Sequence, residues 1–180
     1  IMFGLPAQSL DQFRQTLRCA LDLAPEHLSL YALTLEEDTP LARDVRQGRI
    51  PMPDPDLAAD MYELAQEHLK RLGYIPYEIS NWARGPQYLC AHNLRYWRRE
   101  PYSGLGAGAH SFFRGRRFWN TNSPEDYIAM MGQPESGLEQ TPVLSPGPAA
   151  VEVEQIGHES AMSETMFLGL RMVDGVSHEA

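Results

Sequence analysis

"LSLYALTL", residues 28 to 35, is the stretch whose reading decides the fold. Its apolar side chains run almost without interruption instead of alternating with polar ones, which fits a strand covered on both faces better than one with a wet side. A parallel sheet is expected around it. Upstream, Ile1-Met2-Phe3 reads as the tail of a buried strand, Gly4-Leu5-Pro6 turns the chain, and Ser9 with Gln12 forms a capping box. Leu10, Phe13, Leu17, Ala20 and Leu21 then recur at helical spacing on one face, and Pro25 marks the end of that helix. Downstream, residues 36 to 56 are rich in proline and charge and read as a long excursion with one short helix around Leu41 to Arg46.

Asp54 caps the next helix, with Pro55 in its first position. Leu57, Met61, Leu64, Ala65, His68, Leu69 and Leu72 line its inner face, and Gly73 is the C-terminal stop. Tyr74 to Ile79 follows as a further short strand. The order strand, helix, strand, helix, strand implies an α/β fold with right-handed crossovers, as in a barrel or a doubly wound sheet.

Composition narrows the function classes. The chain has 180 residues, 43% of them hydrophobic, enough for one domain or one domain and part of another. With 24 acidic against 15 basic side chains and a net charge of -9, it is repelled by phosphate backbones, so nucleic acid is not expected as a partner. No apolar run is long enough to span a bilayer, and no signal-peptide pattern opens the chain; the expected compartment is the cytoplasm. Cys19 and Cys90 form neither a disulfide framework nor a CxxC pair. A start at Ile1 inside an apolar run reads as a cut in mid-strand, and the chain is expected to be a fragment.

After Ile79 the sequence turns rich in aromatic residues, Asn and Gly. Ligands of parallel α/β folds bind beyond the carboxyl ends of the strands, where residues 80 to 98 fall. "CAHNLRYW", residues 90 to 97, brings His92, Asn93, Tyr96 and Trp97 together. They suit an imidazole ligand to a metal or haem iron with aromatic faces for a planar macrocycle. They equally suit a capped loop whose Tyr and Trp finish a core and whose His bonds a carbonyl. Cys90 is either an axial thiolate or an inert buried thiol. The glycines of "GLGAGAHS", residues 104 to 111, admit either a flat ligand or a strand packed tightly against a helix, and their spacing is not a dinucleotide fingerprint. Arg95, Arg98, Arg99, Arg114, Arg116 and Arg117 form a local basic cluster, suited to ligand carboxylates or to balancing nearby acids. Further on, Ser123-Pro124 caps a helix, residues 132 to 158 read as a linker, and Ser160 to Leu170 reads as a helix with Met162, Met166 and Phe167 inward.

The stretches IMFGLPAQ, EHLSLYALTLEEDTPLAR, DMYELAQEHLKRLGYIPYEISNWAR and HNLRYWRREPYSGLGAGAHS resemble the oxygen-independent coproporphyrinogen oxidase family of the radical S-adenosylmethionine superfamily. HNxxYW, complete here as His92, Asn93, Tyr96 and Trp97, is similar to the signature of the haem chaperone branch. The resemblance implies the distal part of a partial (β/α) barrel over residues 1–120, a capped helix and linker over 121–158, and the start of a mostly helical C-terminal domain over 159–180. It implies S-adenosylmethionine near Gly4, Thr34 and His110, a [4Fe-4S] cluster, and haem on His92, passed to a receiving protein in solution or at a membrane. No catalytic residue is assigned. The cluster-binding CxxxCxxC is not in the chain, so the cluster ligands are expected elsewhere and the piece alone is expected to be inactive. The alternative is oxidative decarboxylation of coproporphyrinogen III, with arginines holding the propionates.

Overall fold

In the computed structural model, which describes residues 1–132 and 146–176, the chain enters through β1 (Met2–Phe3) and turns at Gly4 into α1 (Leu10–Asp22). The capping box forms as expected: Ser9 Oγ accepts from the Gln12 backbone N–H at 3.2 Å, and Gln12 Oε1 accepts from the Ser9 N–H at 2.8 Å. Phe13 and Leu17 are buried completely, and Leu10, Ala20 and Leu21 flank them half-buried.

The stretch 28 to 35 is not one strand. β2 (His27–Ser29) and β3 (Tyr31–Ala32) meet at Leu30, where the backbone changes partner. The Leu30 N–H donates to the Ser80 carbonyl at 2.9 Å, and the Tyr31 N–H donates to the Ile1 carbonyl at 2.9 Å. β3 therefore runs parallel to β1, as the apolar run predicts, whereas β2 joins an antiparallel sheet. Coverage on both faces also fails beyond Leu30, since Tyr31 and Ala32 are exposed.

After α2 (Pro40–Arg46), α3 (Pro55–Arg71) starts at Asp54, whose carboxylate accepts from the Asp56 and Leu57 N–H groups. It buries Met61, Ala65 and Leu69 against α1 and stops before Gly73, which has φ +80°. Leu72, expected inside, is exposed because it caps the helix end. β4 (Ile75–Glu78) then pairs antiparallel with β5 (Asn81–Ala83), a strand the sequence reading did not anticipate. β5 is the centre of the order β2-β5-β4 and is buried at all its positions. A Glu78 oxygen accepts from the Ser80 N–H and the Asn81 side chain, which closes this hairpin. Phe3, Phe13, Leu17, Leu28, Leu30, Met61, Ala65, Leu69, Tyr74 and Trp82 make one core.

The chain divides into two compact units, Ile1–Cys90 and Ala91–Ala180. The second unit holds α4 (Ala91–Trp97), β6 (His110–Phe113), β7 (Arg116–Asn120), α5 (Pro124–Met131), β8 (Ala150–Gln155) and α6 (His158–Gly169). β8 lies inside the stretch read as a linker and pairs antiparallel with β7, from Arg116 opposite Gln155 to Asn120 opposite Ala150, which ties residues 110–120 to the downstream chain. The rest of that expected linker, residues 133–145, and the last residues of the expected C-terminal domain, 177–180, lie outside the described residues. Ser123 caps α5 as read, accepting from the Asp126 N–H at 3.1 Å. α6 is turned the other way from expectation: Met162, Met166 and Phe167 are exposed, while Glu164 and Gly169 are buried.

Candidate functional site

In the first unit, parallel pairing of β1 with β3 points their carboxyl ends the same way. Just past those ends Gly4 and Thr34 line a cavity of about 810 Å³ together with Leu30, Asp54, Tyr62 and Ser80. Gly4 has φ +68°, and a Cβ there would stand 3.0 Å from the Ala58 Cβ, so a larger residue is strained and crowds this wall. His110, the third residue expected at this cofactor, lies in the second unit, exposed at the start of β6 with its ring stacked on Trp119 at 5.2 Å. Cys90 is a partly buried free thiol at the end of the first unit. Among the described residues no group of three or more His, Cys, Asp or Glu side chains is placed to hold a metal ion, so the residues present do not fit an iron–sulfur cluster.

In the second unit, HNxxYW forms α4 rather than a loop. Residues four apart share a helical face, so His92 stands beside Tyr96 and Asn93 beside Trp97. The His92 imidazole is exposed and meets the Tyr96 ring edge-on at 4.8 Å. The aromatic contacts continue inward from Tyr96 to Tyr102 at 4.5 Å and from Tyr102 to Phe112 at 6.3 Å. Arg99 lies over the Phe112 ring at 5.1 Å. The Trp97 indole has the Arg171 guanidinium over its face at 4.4 Å, and its N–H is buried without an acceptor among the described residues. Asn93 is half-buried. Thus α4 presents one open imidazole at the end of an aromatic ladder.

At the inner end of that ladder Glu164 takes a hydrogen bond from Arg99 Nε at 2.9 Å and one from Arg117 at 2.6 Å. Burial disfavours the Glu164 carboxylate, but the hydrogen bonds from Arg117 and Arg99 and their charges outweigh it and hold the group below the usual carboxylate range. Burial pushes the Tyr102 hydroxyl above its usual range, against the pull of Arg117. Sequence reasoning named both arginines and missed Glu164. Its signal was present: Ala161, Glu164 and Leu168 recur at helical spacing as regularly as Met162 and Met166, and the basic cluster required a carboxylate. In the glycine-rich segment a Cβ at Gly104 would stand 2.2 Å from the His110 carbonyl oxygen, so the close approach there is to the start of β6 and not to a helix.

Comparison with known proteins places this geometry. No family model matches the chain. It is 35% identical over 98% of its length to the protein named heme chaperone HemW of Bacillus subtilis, and 38% identical over 98% to that of Mycobacterium tuberculosis. It is also 36% identical to mitochondrial radical S-adenosyl methionine domain-containing protein 1 of Mus musculus. The chain is a HemW-like segment of the radical S-adenosylmethionine family. It spans about two-fifths of these relatives, 43% of the first and 39% of the mouse protein. A solved structure, the radical S-adenosylmethionine enzyme coproporphyrinogen III oxidase HemN of Escherichia coli, matches over 94% of this chain and 39% of its own, with a TM-score of 0.69 at 18% identity. That likeness carries the fold: a partial α/β architecture. No helix among the described residues is long and apolar enough to cross a membrane.

Proposed function

We propose that this chain is the haem-binding portion of a HemW-type haem chaperone, in which His92 ligates haem iron and Tyr96, Trp97 and Asn93 hold the porphyrin. The observation that carries the reading is the exposed His92 imidazole set edge-on against Tyr96 at the mouth of an aromatic ladder. A structural histidine is more often buried and hydrogen-bonded, whereas this ring makes no hydrogen bond to protein among the described residues. Gly4 and Thr34, beside the carboxyl ends of the parallel strands, are the positions that receive S-adenosylmethionine in this reading. The [4Fe-4S] cluster of the whole protein takes its ligands from outside this chain. Haem is cargo, delivered to a receiving protein of the cytoplasm or its membrane. The decarboxylase alternative rests on a fold likeness at 18% identity, which carries no substrate.

The test is a haem titration of the full-length protein followed in the Soret band. His92→Ala weakens binding roughly tenfold or more, equivalent to about 1.4 kcal/mol, and changes the band. A mutant with the parent spectrum and affinity contradicts the assignment.

A further inference from the structure

Beside the aromatic ladder is a cavity of about 380 Å³, lined by Tyr96, Trp97, Tyr102, Phe112 and the Arg99–Glu164–Arg117 cluster. That volume lies at the low end for ligand pockets, room for the edge of a large ring and its side chain and not for a whole macrocycle. Its polar end is unusual. Arg99 and Arg117 are 19% and 28% exposed at their side chains, and the carboxylate they share is 11% exposed. Two guanidinium groups therefore face one well-buried carboxylate, with Glu154 reaching Arg117 from the exposed rim at 3.1 Å. Each arginine carries five N–H donors, and Glu164 takes one from each. Glu164 within and Glu154 at the rim balance the two guanidinium charges, so the pair is neutralised by carboxylates on both sides.

We propose that the Arg99–Arg117 pair is a carboxylate-binding site for the ligand, and that Glu164 is an internal carboxylate that occupies it until a ligand carboxylate exchanges with it. The proposal rests on the reading of a porphyrin bound at His92 and names what that reading leaves open, the recognition of the acidic side chains. An arginine fork matches a carboxylate in shape and charge whether it comes from the protein or from the ligand. The aromatic ladder joins this pair to His92, so one planar ligand with acidic side chains can meet iron-binding and carboxylate-binding groups together. Holding Glu164 in the pair also keeps the Arg99 guanidinium from lying buried without its carboxylate in the empty state.

The experiment compares four probes on the full-length protein: haem, metal-free protoporphyrin IX, and the dimethyl ester of each. The parent protein binds each free acid roughly tenfold more tightly than its ester, the scale of one lost charge-assisted contact. Glu164→Gln, which removes the competing charge, tightens the free acids severalfold and leaves the esters unmoved; Arg117→Gln weakens the acids alone. Equal affinity of the parent for acid and ester overturns the proposal without recourse to any variant, as does a Glu164→Gln protein that shifts acids and esters alike. Iron binding through His92 with no acid preference sinks the exchange and leaves the haem reading intact. An acid preference for the metal-free ring with a Soret band indifferent to His92→Ala does the reverse. Failure of all four probes to bind overturns both.

Discussion

Glu164 titrates against its own burial and wins because two arginines share it. Its pKa is depressed in the folded protein, so its contribution to stability is fully present above the usual value of 4.5 and is lost as pH falls below that, through the folded pKa. The midpoint temperature of the parent protein should therefore exceed that of Glu164→Gln near neutral pH, and the gap should close as the buffer is taken below 4.5. A gap independent of pH, measured by circular dichroism melts, contradicts the ion-pair account. At this scale the sequence was informative where a residue type and a spacing point to one chemistry. His92 and Tyr96 were named from the HNxxYW string, whereas the helix that makes them i, i+4 neighbours was not read. Glu164 was not named, because a single acid among Met162, Met166 and Phe167 looks like the wet side of an amphipathic helix until Arg99 and Arg117, distant in sequence, are placed against it.

Helices declared their ends. Ser9, Asp54 with Pro55, Gly73 and Ser123 each stop or start a helix where their chemistry says they should, since capping is a local contact between neighbours in sequence. Ser9→Ala is expected to cost about 1 kcal/mol in urea unfolding, the usual loss for an N-cap hydroxyl. Leu17→Ala, at a fully buried position between α1 and α3, is expected to cost about 2–5 kcal/mol. A Leu17 variant no less stable than the Ser9 variant would contradict the core described for the first unit. Strands were less legible, because pairing is settled by residues far away in sequence. The run 28 to 35 splits at Leu30 because Ser80 takes its N–H and Ile1 takes that of Tyr31. Asn81 to Ala83 was not anticipated as a strand, yet becomes the central one once Leu28 and Pro76 flank Trp82.

Over the whole molecule, the α/β character and the family were readable from the order of elements and from HNxxYW, whereas the division into units was not. The second unit includes β8, whose alternating Val and Glu side chains sit within a stretch that composition alone marks as linker. The division places HNxxYW, the aromatic ladder and the arginine pair within one unit, so the proposed iron ligand and the proposed carboxylate site share a single scaffold. The acidic chain and its basic cluster are reconciled the same way: Arg99 and Arg117 turn inward to Glu164, and Arg114 lies over Phe113 at 5.1 Å. The measurement that tests the central claim most directly is the resonance Raman spectrum of the ferrous haem complex of the full-length protein, with histidine labelled by nitrogen-15. An iron–imidazole stretch that shifts with the label in the parent and disappears in His92→Ala is the predicted result. The same labelled stretch persisting in His92→Ala would show that another histidine holds the iron.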